Sequence, residues 1–125
     1  MTACPYCKKA REHAKHSPCP DKKAQITGAV LQKGTRVIGI GYPICRTFCD
    51  NAKHYNIDAE IVALINALQN GFDPQGATLH LTGHWRSCFV CETILARFGI
   101  TDFCIDSYTA KTNPDCRHKP PQKTQ

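Results

Sequence analysis

The segment from residue 77 to residue 106 limits the fold more than any other part of the chain. Residues 77–82 alternate apolar and polar side chains, which predicts a strand. Residues 88–98 have apolar side chains at helical spacing and are followed by Gly99, which predicts a helix and its end. Residues 102–106 predict another strand. Two strands joined through a helix are connected most simply as parallel neighbours, so the chain is predicted to have an α/β fold.

The preceding half of the chain predicts the rest of the sheet. Residues 26–31 and 36–41 are expected to pair as a β-hairpin through a turn at residues 33–35. The most strongly periodic helix is predicted at residues 58–70, with Gly71 at its end. A helical arm with a thin apolar side is predicted within residues 1–16, and a loop at residues 43–56. These elements together give a mixed sheet of at least four strands.

Length and composition restrict the class of protein. A chain of 125 residues with 42% apolar side chains suits one globular domain. Its longest apolar run, residues 61–68, is far shorter than the ~20 residues that cross a bilayer. Because no signal-type segment begins the chain, a cytoplasmic location is expected. Nine cysteines in such a protein favour thiols and metal ligands over a disulfide framework.

The last part of the chain differs in composition from the rest. Residues 107–125 are polar and basic and contain Pro114, Pro120 and Pro121. This composition predicts an extended or disordered tail. The domain is therefore predicted to cover residues 1–106, with residues 107–125 as its C-terminal tail.

Two predicted helix starts carry metal-binding residue types. Asp58 and Glu60 begin one helix, and Cys88 and Cys91 begin another. Zinc accepts carboxylate oxygen and thiolate sulfur, and a catalytic zinc keeps three protein ligands. Cysteines three apart lie on one side of a helix, and the helix dipole favours their thiolate form. We therefore predict a Zn²⁺ site formed by Asp58, Cys88 and Cys91, with Glu60 able to transfer protons beside it.

These residues also resemble a known pattern. Asp58-Ala59-Glu60 followed by Ser87-Cys88-Phe89-Val90-Cys91 is similar to H-x-E…P-C-x-x-C, the signature of the zinc-dependent cytidine/deoxycytidylate deaminase superfamily. A helix, a Ser17-Pro18-Cys19 turn and a strand that ends in Gly41-Tyr42 precede it, as in that superfamily. The resemblance implies a three-layer α/β/α fold with helices on both faces of the sheet. It also implies Zn²⁺ as the cofactor, Glu60 as the catalytic acid and base, and a homodimer.

Three positions differ from the superfamily pattern. Asp58 replaces a histidine, Ser87 replaces a proline, and Pro43 stands where an asparagine usually holds the substrate sugar. A neutral histidine and two thiolates would balance the charge of Zn²⁺, whereas Asp58 and two thiolates leave a net charge of minus one. This should raise the pKa of a zinc-bound water, so we predict slow deamination at neutral pH, or none.

The function that this reasoning favours is zinc-dependent hydrolytic deamination of a cytosine-type nucleoside or nucleotide, as in CMP or dCMP deaminases. The net charge of +6 also permits a nucleic-acid deaminase of the tRNA type, although so short a chain leaves little surface for a polynucleotide. A purine deaminase and a catalytically weak or inactive zinc-binding homologue remain as further alternatives. Trp85 and Phe89 are candidates either to stack on a base or to pack in the core.

The remaining cysteines have competing interpretations. Cys4-Pro5-Tyr6-Cys7 has the spelling of a glutaredoxin active site, but such a motif should follow a strand, and only three residues precede it. Surface thiols are the favoured interpretation of this motif. The alternative is a small metal site completed by Cys19, His13 or His16. A second zinc site at Cys45, Cys49 and His54 lacks an evident fourth ligand, so packing or unreactive thiols are favoured there.

Overall fold

The computed structural model describes residues 4–18, 26–47, 54–83, 89–106 and 117–119. Its helices are α1 (Pro5–Ala14), α2 (Ala59–Gln69) and α3 (Phe89–Arg97). Its strands are β1 (Gly28–Lys33), β2 (Arg36–Gly41), β3 (Ile44–Thr47), β4 (His54–Ile57), β5 (Thr78–Thr82), β6 (Asp102–Asp106) and β7 (Arg117–Lys119). Helix α2 begins after Asp58 and ends at Asn70, as its periodicity predicts.

Five strands form a mixed sheet in the order β2-β1-β5-β6-β7. Strand β1 is antiparallel to both β2 and β5, and the tight β1–β2 connection contains Gly34 at φ 64°. Strands β5 and β6 are parallel, with α3 between them in the chain. Both the predicted hairpin and the predicted parallel strand–helix–strand unit are confirmed.

Alternation along the strands divides the side chains between two faces of the sheet. On one face, Leu79 and Leu81 of β5 belong to the hydrophobic core, together with Leu64 of α2 and Leu95 of α3. On the other face, α1 packs against β1 and β5. Its buried side chains are small: Cys7, Ala10 and Ala14. The α/β/α arrangement expected from the sequence is thus confirmed, with a well-filled layer on one face and a thin layer on the other.

Helix α2 approaches the sheet more closely than its large apolar residues suggest. Ala59, Ala63 and Ala67 are fully buried, whereas Ile65 and Leu68 are each 40% exposed. A Cβ on Gly41 of β2 would lie 2.1 Å from the carbonyl oxygen of Ala59. Glycine in the strand and alanine in the helix therefore bring the two backbones together and fix the position where α2 begins.

Two regions differ from the sequence-based expectation. Residues 43–56 were expected to be a loop, but β3 and β4 pair as an antiparallel hairpin, with Ile44 opposite Ile57. Within the predicted tail, β7 pairs with β6 and extends the sheet by one strand. The domain boundary at residue 106 stays a prediction, although the three residues of β7 lie beyond it and join the sheet. In the part of the chain that the structure describes, no helix is long and apolar enough to cross a membrane.

Candidate functional site

The side chain of Asp58 points to the second predicted motif rather than to its own helix. Asp58 is the N-cap residue of α2 in an extended conformation, and its side chain makes no capping hydrogen bond. Instead, its Oδ2 accepts a hydrogen bond from Cys91 Sγ at 3.0 Å. Because Cys91 lies in the first turn of α3, this contact brings the beginnings of α2 and α3 together.

The 3.0 Å separation of these two atoms is slightly shorter than that of two ligands on one zinc ion, so a small shift of either side chain would let both bind the same ion. Oxygen and sulfur bound tetrahedrally to zinc at about 2.0 and 2.3 Å lie roughly 3.5 Å apart. Cys91 is a thiol and is only 2% exposed. The predicted third ligand, Cys88, lies outside the described residues, as do Ser87 and Trp85. Two of the three predicted zinc ligands are thus adjacent, and the sulfur and the carboxylate are chemically suited to zinc.

Two acidic residues are buried in the same pair of helix starts. Glu60 is 4% exposed in the first turn of α2, and Glu92 is 9% exposed in the first turn of α3. A carboxylate in the first turn is stabilised by the helix dipole, which offsets part of the cost of burial. Glu60 is the predicted acid and base. Glu92 was not predicted as a site residue, because a glutamate directly after Cys91 in a helix is usually exposed to solvent.

Two further residues considered for the predicted site, Pro43 and Phe89, lie within the described residues. Pro43, which replaces the expected asparagine, is buried, and its carbonyl oxygen accepts a hydrogen bond from Ser17 Oγ at 2.6 Å. The backbone at this position is therefore anchored to the segment that follows α1. Phe89 is 54% exposed at the start of α3, so it does not pack in the core.

A second group of donor atoms lies on the opposite face of the sheet. The sulfurs of Cys4, Cys7 and Cys104 and a ring nitrogen of His80 all lie within 4.8 Å of one another. The interpretation of the Cys4–Cys7 motif as surface thiols was wrong for Cys7, which is a thiol but only 2% exposed, whereas Cys4 is half-buried. Within the described residues this group contains neither His13 nor His16. The described part of the structure does not include Cys19 or the side chains of Cys45, Cys49 and His54.

The pairing of β5 with β6 explains how two of these residues come together. His80 and Cys104 are direct partners in the parallel pairing of β5 with β6, so their side chains share one face. Alternation places that face opposite to Leu79 and Leu81. A histidine on the side of β5 that faces away from its leucines, with a cysteine directly opposite it in the next strand, is a pattern that predicts a shared site.

Comparisons with known proteins agree on the fold. No protein-family description matches the chain, and no curated protein sequence matches it. Among solved structures, the dCMP deaminase of cyanophage S-TIM5 in its apo form is 19% identical with a TM-score of 0.63, over 84% of this chain and 82% of that one. The same enzyme in complex with dCMP and dUMP is 18% identical with a TM-score of 0.66, over 82% of this chain and 78% of that one.

A larger enzyme shares the fold over part of its length. The diaminohydroxyphosphoribosylaminopyrimidine deaminase/5-amino-6-(5-phosphoribosylamino)uracil reductase of Thermotoga maritima is 26% identical with a TM-score of 0.58. That match covers 85% of this chain and 29% of the enzyme. The chain therefore has a cytidine deaminase-like fold, and the resemblance predicted from the two motifs is confirmed at the level of the fold.

Proposed function

We propose that the protein is a zinc-dependent hydrolytic deaminase of a cytosine-type nucleoside or nucleotide, similar to CMP and dCMP deaminases. The contact between Asp58 and Cys91 carries this proposal, because it joins the two motifs at the starts of α2 and α3. The fold shared with a dCMP deaminase that has been solved with dCMP and dUMP supports the substrate class. A cytoplasmic location stays a prediction.

The proposed ligands are Asp58, Cys88 and Cys91. When bound, Zn²⁺ lowers the pKa of a coordinated water from about 15.7 to about 7 and so supplies a nucleophile at neutral pH. Glu60 would take the proton of the attacking water and deliver it to the ring nitrogen and the departing ammonia. Burial of Glu60 keeps bulk water away from this proton transfer. The net reaction exchanges an exocyclic amine for oxygen and releases ammonia.

The charge of Asp58 distinguishes this site from one with a neutral histidine. One carboxylate and two thiolates carry a total charge of minus three, which exceeds the charge of Zn²⁺ by one. A water bound at such a site would lose its proton less readily than at a site with a neutral histidine. We therefore expect slow turnover near neutral pH. If this effect of Asp58 is large, the protein would bind zinc but have very weak or no catalytic activity.

We also propose a homodimer. Large apolar side chains remain exposed on α2 (Ile65 and Leu68), on α3 (Ile94) and directly after α3 (Phe98). These two helices pack on each other over the well-filled face of the sheet. Large exposed apolar side chains on two neighbouring helices are typical of an interaction site, and a second copy of this chain would cover them.

Release of ammonia tests the proposed reaction. The zinc-loaded protein should release ammonia from dCMP, CMP or their nucleosides in a panel that also contains guanine, adenosine and single-stranded oligonucleotides. Glu60→Gln is the matched variant, because it keeps the side-chain shape and removes the proton-transferring group. Turnover of oligonucleotides or purines alone would contradict the proposed substrate class. Zinc without turnover on any substrate would identify the inactive homologue.

A further inference from the structure

We propose that the reduced protein binds a second Zn²⁺ through Cys4, Cys7, His80 and Cys104, and that this ion fastens α1 to the sheet. Cys4 and Cys7 lie at the start of α1, His80 lies on β5 and Cys104 on β6. Four protein ligands leave no open coordination position, which is the pattern of a structural zinc site. This proposal does not depend on the proposed deaminase activity.

Three of the six donor–donor distances within the cluster match the edges of a zinc-centred tetrahedron. Zinc–sulfur and zinc–nitrogen bonds of about 2.3 and 2.0 Å place sulfur and nitrogen roughly 3.5 Å apart, and two sulfurs roughly 3.8 Å apart. His80 Nδ1 is 3.5 Å from Cys4 Sγ and 3.5 Å from Cys7 Sγ. The sulfurs of Cys7 and Cys104 are 3.9 Å apart. All four donor atoms lie within 4.8 Å of one another, close enough to bind one zinc ion once Cys104 is reduced.

The hydrogen bonds of His80 select the tautomer that a metal requires. Its Nε2 lies 2.6 Å from Gln32 Oε1. The Gln32 amide is oriented by its own Nε2, which donates to the carbonyl oxygen of Gly34 at 2.6 Å. Since an amide oxygen only accepts, His80 Nε2 carries the proton, and the Nδ1 of the neutral ring presents its lone pair to the cysteines. Metal-binding histidines are commonly oriented in this way by a second hydrogen bond.

The packing of α1 explains why such an ion would matter. The helix buries only Cys7, Ala10 and Ala14 against the sheet. A Cβ on Gly28 would lie 1.9 Å from the carbonyl oxygen of Ala10, so helix and strand are in close backbone contact with little apolar volume between them. Small side chains contribute little hydrophobic stabilisation. A cross-link through zinc would supply the attachment that this layer lacks.

The redox state of Cys104 controls whether the fourth ligand is present. Cys4 and Cys7 are thiols, whereas Cys104 is disulfide-bonded in this structure. A dithiol or a phosphine reduces that disulfide to two thiols with two electrons and is itself oxidised. Zinc binding then releases one proton from each of the three cysteine thiols. The proposed site therefore forms in the reduced protein and is lost when Cys104 is oxidised.

Zinc content of the reduced full chain tests the proposal. The protein is reduced with a phosphine, loaded with ZnCl₂ and desalted without oxygen, and zinc per chain is measured by mass spectrometry. We expect Cys7→Ser to lose one equivalent of zinc relative to the unaltered protein, while His13→Gln on the same helix loses none. Zinc content unchanged by Cys7→Ser would overturn the proposal.

The same measurement separates this site from the proposed catalytic one. Cys91→Ser should also lose one equivalent, and X-ray absorption of the zinc that it retains should show three sulfur ligands and one nitrogen ligand. Retained zinc with two sulfurs or fewer would refute the proposed ligand set. If Cys91→Ser loses no zinc but Cys7→Ser does, the proposed deaminase centre fails and this inference stands.

A milder substitution tests the site in case Cys7→Ser prevents the protein from folding. Gln32→Leu removes the hydrogen bond to His80 Nε2 together with the bond from Gln32 to the Gly34 carbonyl, and we expect zinc affinity at this site to fall by about 10- to 100-fold. Gln32→Glu also loses the bond to Gly34 but keeps an acceptor oxygen for His80 Nε2, so it should retain the affinity. Equal zinc affinities for the leucine and glutamate variants would count against the assigned role of His80.

Discussion

Gly41→Ala tests how the sheet positions the proposed site. The added Cβ would lie 2.1 Å from the carbonyl oxygen of Ala59 and 2.4 Å from the backbone nitrogen of Ala63. Both atoms belong to the backbone of α2, so no side chain can rotate to make room. The helix must move away from β2, and Asp58, directly before Ala59, must move with it.

The expected cost follows from that collision. Overpacking a well-filled interior costs typically 1–3 kcal/mol, and a contact with rigid backbone belongs at the upper end, about 3 kcal/mol. For a chain of 125 residues, this corresponds to a fall in Tm of roughly 10 °C. Displacement of Asp58 should also weaken zinc binding with Cys91.

Thermal and denaturant unfolding, followed by circular dichroism, measure this effect. Gly34→Ala is the matched control: its φ is +64° and no atom lies within 4 Å of the added Cβ, so it has backbone strain without a collision. That strain costs about 1–2 kcal/mol. If Gly41→Ala lowers the stability less than Gly34→Ala does, the close packing of α2 against β2 does not contribute to stability as proposed.

The remaining predictions concern the proposed catalytic centre and the dimer. Asp58→His should keep zinc and raise the deamination rate near neutral pH, by roughly tenfold for each unit by which the pKa of the water falls; unchanged turnover in a zinc-loaded variant would contradict the charge argument. Glu60→Gln should lower kcat by about 10²- to 10⁴-fold with zinc content unchanged, and near-normal kcat would exclude Glu60 as the proton carrier. Leu68→Glu combined with Phe98→Glu should convert a dimer into a monomer in light scattering after size-exclusion chromatography, whereas a monomeric unaltered protein would refute the proposed interface.

Local patterns predicted the elements that have clear periodicity and clear ends. The hairpin pattern of residues 26–31 and 36–41 and the alternation of residues 77–82 predicted three strands of the sheet, and Gly71 and Gly99 follow the ends of α2 and α3 at φ 80°. The buried side of α2 could not be predicted as well. Of its large apolar residues, Leu64 is buried but Ile65 and Leu68 are 40% exposed, because the glycines of β2 admit a closer surface made of alanines. That choice depends on a neighbouring strand and not on the helix itself.

Tertiary placement explains the other differences. Strands β3 and β4 have four residues each, too few for alternation to distinguish a hairpin from a loop. The proximity of Asp58 and Cys91 was expected from the two motifs and the family resemblance. The cluster of Cys4, Cys7, His80 and Cys104 requires the register of β5 against β6 and the docking of α1, which spacing along the chain does not determine.

An anomalous difference map at the zinc absorption edge, from crystals of the reduced, zinc-loaded protein, tests the central claim most directly. We predict an anomalous peak within bonding distance of a carboxylate oxygen of Asp58 and of the sulfurs of Cys88 and Cys91. The fourth coordination position of this zinc ion should be open to solvent. An absence of anomalous density there, with Asp58 and Cys91 still joined by their hydrogen bond, would contradict the proposed metal centre.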